Sequence, residues 1–269
     1  MIRKNFLLAL LTFKEGIRDR SLYLILFFCI LTITFSFILV GFYIRQLDKV
    51  SVDILLSTIN FAGLLLTFFL SVKLMAKDLD KHGIYFILSK PFSRTQYILG
   101  KYCGIMLIIF VCFLILCFCS AITLFFTKIQ YNEWFKDFLW IEFFKACYSL
   151  FLMFFILNAF VIFFSSITSN SFLVQLLSIL IYIAGQIIEE AVLFLKSKIP
   201  INAKTETISI VDILRYLLPD LSVFDLKTTA AHSIGISYQY LFYITGYSIL
   251  YSMVLLLLSA MFFLKKELL

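Results

Sequence analysis

The 269 residues are 62% hydrophobic and only 14% charged, whereas a water-soluble domain is about half apolar and about a quarter charged. That balance excludes an ordinary soluble enzyme, and a chain dominated by Phe, Ile and Leu with three prolines excludes a disordered or fibrous one. The formal charge of +7 sits in and beside the segments between apolar runs, which makes it a topology signal rather than a nucleic-acid footprint.

Residues 3–20 place Phe6, Leu10, Phe13 and Ile17 on one helical face, with Arg3, Lys14 and Arg18 turned elsewhere. That pattern predicts an amphipathic helix lying in the inner membrane interface. No small-residue cleavage site follows a short apolar core, so a signal peptide is not expected. A hydrocarbon core about 30 Å thick needs ~20 mostly apolar residues. Runs of that kind lie at Leu22–Tyr43, Ile54–Val72, Tyr97–Phe126, Phe143–Ser165, Phe172–Leu195 and Tyr238–Leu264. They do not alternate with period two, which rules out a closed barrel. The expected fold is an all-α polytopic membrane protein. A single domain covers 1–269, with an interfacial helix over 1–21 and a six-helix bundle over 22–264.

Basic residues near the spans set the orientation. With both termini inside, the inner segments hold thirteen cations against five acids, a net +8, and the outer side is left at −1. Both termini are therefore expected in the cytoplasm, which places the chain in a bacterial inner membrane. On the outer side, Trp134, Phe135, Phe138, Leu139 and Trp140 suggest an interfacial anchor. Ser209 and Asp212 have capping-box spacing, and Val211, Leu214 and Leu218 line one face until Pro219. They predict a short extracytoplasmic amphipathic helix before the last span, packed over the mouth of the bundle.

The inner loop between spans two and three is unusually apolar. After Lys77, Asp78, Asp80, Lys81 and His82 come Ile84, Tyr85, Phe86, Ile87 and Leu88, then a turn at Pro91. A solvated loop has no need of those residues; they require a lipid interface or another protein. Gly100 and Gly104 permit close helix approach at the start of span three, as a packing or dimer contact, or as a tight bend. Asn60, Asn158, Gln175 and Gln186 fall near membrane depth. Interhelical hydrogen bonding, worth ~0.6 kcal/mol each, is the plainer reading; lining of a transport path is the functional one. The six cysteines contain no Cys-x-x-Cys pair and are read as small packing residues.

Bond chemistry finds no support. Glu189-Glu190 lacks the arginine that follows the paired glutamates of prenyl-protein proteases, and Phe194 stands there instead. His82 and His232 fall on opposite sides of the membrane and cannot share a metal. No phosphate-cradling Gly-x-x-x-x-Gly-Lys-Ser/Thr loop is present. The chain is not expected to be an enzyme or to hold a cofactor, so its energy must come from a partner or a gradient.

Asp78-x-Asp80, Ile84-Tyr85-x-x-Leu88-Ser89-Lys90-Pro91-x-Ser93-Arg94, Tyr97-Ile98-Leu99-Gly100-Lys101-Tyr102-x-Gly104 and Leu214–Leu221 with Phe224–Lys227 resemble the permeases of type-2 ABC exporters. The branch of multi-copper-enzyme maturation permeases is the nearest in pattern. The resemblance implies a permease dimer, or a pair with a related permease, in contact with membrane lipid. It also implies two separate ABC ATPase subunits that bind ATP and Mg. The loop after span two would be the coupling helix, with Asp78, Asp80, His82, Tyr85, Phe86 and Leu88 docked in the ATPase groove. Gly83 and His82 depart from the commoner residues of that loop. A gradient-driven transporter or channel, or a membrane scaffold, is the alternative, but the span centres carry neither Pro nor charge.

Overall fold

The computed structural model describes residues 2–40, 47–80, 93–133, 135, 138–198 and 218–265. The described chain is helical throughout, with no strand among the described residues. α1 spans Ile2–Ile17 and α2 Arg20–Val40. α3 (Leu47–Leu65) runs through a π-helical turn at Leu66–Leu70 into α4 (Ser71–Asp80) without a break. α5 (Arg94–Gln130), α6 (Trp140–Ile167), α7 (Ser171–Lys198), a 3-10 turn at Ser222–Phe224, the short α8 (Lys227–Ala231) and α9 (Tyr238–Lys265) complete it.

Five helices are long and apolar enough to cross a membrane: Leu47–Ala76, Arg94–Gln130, Trp140–Ile167, Ser171–Glu190 and Tyr238–Leu264. The remaining expected span coincides with α2, a 21-residue helix that is apolar from Leu22 onward. At 37 residues, α5 is about 55 Å long. It therefore exceeds the hydrocarbon core and projects beyond it. The second span starts earlier than its hydropathy suggests, because Asp48 occupies the first turn and Ser51 donates a hydrogen bond to the Asp48 carbonyl. It also ends later: Asp78 and Asp80 continue the span's own helix rather than opening a separate one.

α6 is the hub. Its neighbours are α3, the π turn, α4, α5, α7, α8 and α9, and Phe143, Met153, Phe154, Leu157 and Ile162 on it are fully buried. α9 lies along α6 on a narrow polar face. Ser248 and Ser259 donate to the carbonyls of Leu152 (3.1 Å) and Ile162 (3.5 Å). Small hydroxyl residues let membrane helices approach closely and bond across the seam. The opposite face of α9, with Phe242, Tyr243, Leu250 and Leu257, is exposed, as lipid contact requires.

The N-terminal helix does not sit as its amphipathic pattern suggests. Leu8, Ala9 and Thr12 are buried, whereas Leu7 and Leu11 are exposed and Ile17 is 37% exposed. α1 packs along α5 through a face of small residues. A Cβ on Gly104 would stand 2.6 Å from Thr12 Cβ and 2.7 Å from the Ala9 carbonyl, and one on Gly16 would strike Ile108. Thr and Gly carry little hydropathy, so that packing face is invisible to an apolar periodicity. The proposed aromatic anchor is likewise revised. Phe135 and Phe138 are buried, edge-to-face at 5.8 Å, with Trp140 against Phe138 at 5.2 Å. Leu139 and Ile141 beside them face outward. The rings prefer one another and the core to the interface. Trp134 lies outside the described residues.

Candidate functional site

Segment 81–92 lies outside the described residues, so His82, Tyr85, Phe86 and Leu88 do as well. Asp78 and Asp80 form the last turn of α4. What the structure describes is the pair of helix ends from which that segment hangs.

The α5 end is sharply defined. Ser93 Oγ accepts from the Gln96 N–H (3.3 Å) and Gln96 Oε1 accepts from the Ser93 N–H (3.2 Å), a reciprocal capping box. Such a cap satisfies two donors that the first helical turn leaves orphaned. Next to it, Arg94 Nη1 donates to the carbonyls of Phe263 (3.0 Å) and Leu264 (3.1 Å), near the C-terminus of α9. A cation there meets the negative end of the helix dipole. One turn on, Tyr97 is 1% exposed and stacks on Phe263 at 5.7 Å. The start of α5 and the end of α9 are thus one unit.

α1 ties this unit to the second span. Lys101 Nζ, on a side chain 2% exposed, reaches Glu15 Oε2 at 3.5 Å. Lys73 Nζ meets Asp19 Oδ1 at 2.8 Å. The first pair joins α1 to α5, and the second joins the turn after α1 to α4. Lys73 is half exposed, so its pair contributes at most about 1 kcal/mol. Lys101 is enclosed, and removing its counter-charge costs more. Gly104 seats α1 on α5, and Gly100 is buried on the same helix.

At the other end of the bundle, residues 218–237 enter between the helices. Leu221, Phe224 and Ala230 are fully buried. The Leu221 N–H donates to the Gly185 carbonyl (2.9 Å), and Ser149 Oγ donates to the Phe224 carbonyl (2.8 Å). Gly185 is needed there, because a Cβ would stand 2.7 Å from the Pro219 carbonyl. Glu142 and Lys145 hold the return strand of chain. Lys145 Nζ donates to Glu142 Oε1 (2.9 Å) and to the Ile236 carbonyl (2.6 Å), while the Ile236 N–H donates to Glu142 Oε2 (2.9 Å). Lys145 also lies 4.4 Å from the Tyr238 ring centre, a cation–π contact. Of the expected outer helix, only Leu218 and Pro219 are described.

The polar residues at membrane depth do not converge. Asn60 is 7% exposed on α3, with Oδ1 unpartnered among the described residues. Asn158 is fully buried on α6, with neither amide atom partnered. Gln175 is half-buried near the start of α7. Gln186 directs Nε2 at Met153 Sδ, 3.6 Å away. Between α6, α7 and α9 lies an apolar cleft of about 640 Å³, lined by Phe160, Phe163, Ile181, Tyr251 and Leu255 among others.

Sequence reasoning missed Lys101–Glu15 and Glu142–Lys145. The signal was present in the lysines, since Lys101 and Lys145 stand just inside the ends of apolar runs and Glu142 adjoins the second. It missed the π turn, which leaves no trace in hydropathy.

The family model described as ABC-2 family transporter protein matches residues 7–268. No curated protein matches the chain.

Proposed function

We propose, from the premise that this chain belongs to the ABC-2 transporter family, that it is the permease subunit of an ATP-driven exporter. In this reading two permease copies, or one copy and a related chain, form the pathway in a bacterial inner membrane. All six apolar helices span it, and both termini are cytoplasmic. Two separate ATPase subunits bind ATP and Mg and dock on residues 78–92, with Asp78, Asp80, His82, Tyr85, Phe86 and Leu88 as the contacts. The resemblance of the motifs around Asp78–Gly104 supports a kinship with the multi-copper-enzyme maturation permeases.

The observation that carries the reading is the bracing of the two helices on either side of 81–92, α4 in its first turn and α5 over its first two turns. α4 is held through Lys73–Asp19, and α5 is held through Lys101–Glu15, the capping box and Arg94. A loop that only reversed the chain would need no such frame. A loop that receives a push needs rigid ends, so that displacement passes into helix tilt rather than local bending. The test is isolation of the native complex from membranes with mass measurement. Two permease-sized chains with two Walker-loop ATPase chains are expected. A complex with no ATPase would end the proposal.

A further inference from the structure

The π turn packs on α6 along a buried seam, and Asn158 is buried on α6. Phe154 on α6 lies against Gly63 of α3, where no Cβ could fit. Val161 on α6 packs with Val72 of α4. Asn158 is four residues after the first contact and three before the second, so it shares their helical face. The stretch of span two between Gly63 and Val72 is the π turn, Leu66–Leu70.

Polar groups gather there without the partners a regular helix would give them. The Ser71 N–H donates to the Leu66 carbonyl, five residues back. Its α-helical acceptor would be the Thr67 carbonyl, which loses that donor. Ser71 Oγ is buried with no partner among the described residues, as are Asn158 Oδ1 and Nδ2. Thr67 itself is 0% exposed and spends its hydroxyl on the Gly63 carbonyl, 2.8 Å away. An unbonded amide in a lipid-embedded core is strongly disfavoured. Because Asn158 is 0% exposed, neither water nor cargo reaches it in this conformation. Such an amide would gain from any rearrangement that gave it a partner. π turns are common at functional joints in helices, and they change the helix direction locally.

We propose that Asn158 is the positioning residue of a joint in span two: in a second conformation its amide bonds the backbone and Ser71 hydroxyl of the π turn. The present state leaves the amide unbonded, and exchange between the two alters the angle between α3 and α4. The joint's role in transport rests on the permease reading; its existence does not.

The test uses the full-length chain in lipid nanodiscs, with a trifluoromethyl probe on Phe69→Cys, a half-exposed position of the turn, and the six native cysteines replaced. Fluorine NMR of this parent should show two exchanging lines. Asn158→Leu should leave one line and raise the thermal midpoint by about 2–4 °C, because an orphaned amide is removed. Ser71→Ala should shift the line populations without lowering the midpoint. A single line in the parent overturns the joint. So does an unchanged pair of lines in Asn158→Leu, or a midpoint lowered as for an ordinary packing residue. With the ATPase bound, ATP and vanadate should redistribute the parent's lines. If they do not while Asn158→Leu still collapses them, the joint stands and its coupling to ATP falls.

Discussion

Lys101 and Glu15 face each other at 3.5 Å, one nearly sealed within the start of α5 and the other on the N-terminal helix. Compared with Lys73–Asp19, which holds the turn after that helix, this pair has the enclosed cation. Lys101 sits in a position that hydropathy assigns to a membrane span, and a charge there is tolerated only when an opposite charge and hydrogen bonds compensate it.

The pair makes a graded prediction. Glu15→Leu leaves the Lys101 ammonium without this counter-charge and should destabilise the chain by about 2 kcal/mol, less than a fully buried pair would cost because Glu15 keeps some solvent. Adding Lys101→Met should recover most of that loss, since both polar groups are then gone. Thermal unfolding in nanodiscs, with protease access to α1 as a second readout, measures both. Equal loss in the single and double variants would mean that the pair does not hold α1.

Gly104 yields a steric prediction. A Cβ there meets the Thr12 side chain and the Ala9 carbonyl at under 3 Å, and the carbonyl cannot rotate away. Gly104→Ala should cost about 1–3 kcal/mol and detach α1 from α5 before the bundle unfolds. Gly246, with open space around it, is the control: Gly246→Ala should be neutral or stabilising, as expected in a helix interior. Faster proteolysis within residues 2–17 for Gly104→Ala alone is the expected pattern.

The sequence made the architecture legible because lipid imposes two strong rules. Every spanning helix must be long and apolar, and basic residues gather on one side. The positions of α5, α6, α7 and α9 follow from those rules to within four residues at either end. What escaped them shares a physical cause. The face of α1 that packs is made of Ala9, Thr12 and Gly16, whose contribution is closeness rather than hydropathy. Phe135 and Phe138 have the composition of an interfacial belt, but their burial depends on the neighbours the fold supplies. The π turn lies along the seam with α6, between the Gly63–Phe154 and Val72–Val161 contacts, and carries no hydropathy signal of its own. Of the candidate site, the motif around 78–94 was readable, whereas the bracing of its flanks by Asp19 and Glu15 is a tertiary fact.

At the end of the bundle away from 81–92, Lys145→Met should free the chain around Ile236 while leaving α6 intact. The lysine bonds the Ile236 carbonyl and orients Glu142, which in turn accepts the Ile236 N–H. Hydrogen exchange at residues 233–237 should accelerate by about tenfold, equivalent to ~1.4 kcal/mol of local stability. Exchange in α9 beyond Leu241 should be unchanged. Uniform acceleration across α9 would show that the contact holds the whole helix rather than the return segment.

Topology is checked by labelling in intact cells. A cysteine at Ser93, beside the capping box, should react only with reagent admitted to the cytoplasm, and one at Thr205 should react from outside. The arrangement follows from the basic excess beside the inner ends of the spans. Reversed labelling would overturn the orientation, and with it the placement of 78–92 on the side where ATP is found.

The docking of the ATPase is the sharpest of these expectations, because only an ATP-driven reading gives 78–92 a mechanical task. Ile84, Tyr85, Phe86, Ile87 and Leu88 are too apolar for a solvated turn. Aromatic anchors at a protein interface carry a disproportionate share of its binding energy, on the order of 2 kcal/mol or more each when truncated. Phe86→Ala and Tyr85→Ala should therefore lower copurification of the ATPase by about tenfold or more, with insertion and pairing of the permease unchanged. Asp80→Lys should weaken docking further if the groove is basic. The bracing residues offer a contrast that a simple contact map would not supply. Lys73→Ala removes the bond to Asp19 in the first turn of α4 but no docking side chain. It should leave the ATPase bound and hydrolysing while transport per ATP falls, because the push is then absorbed in a loosened helix. Pull-down at matched expression, paired with ATPase and transport assays in proteoliposomes, separates the two effects. Normal ATPase retention and transport in Tyr85→Ala, Phe86→Ala and Asp80→Lys alike would reduce the segment to a chain reversal and favour a gradient-driven transporter or channel.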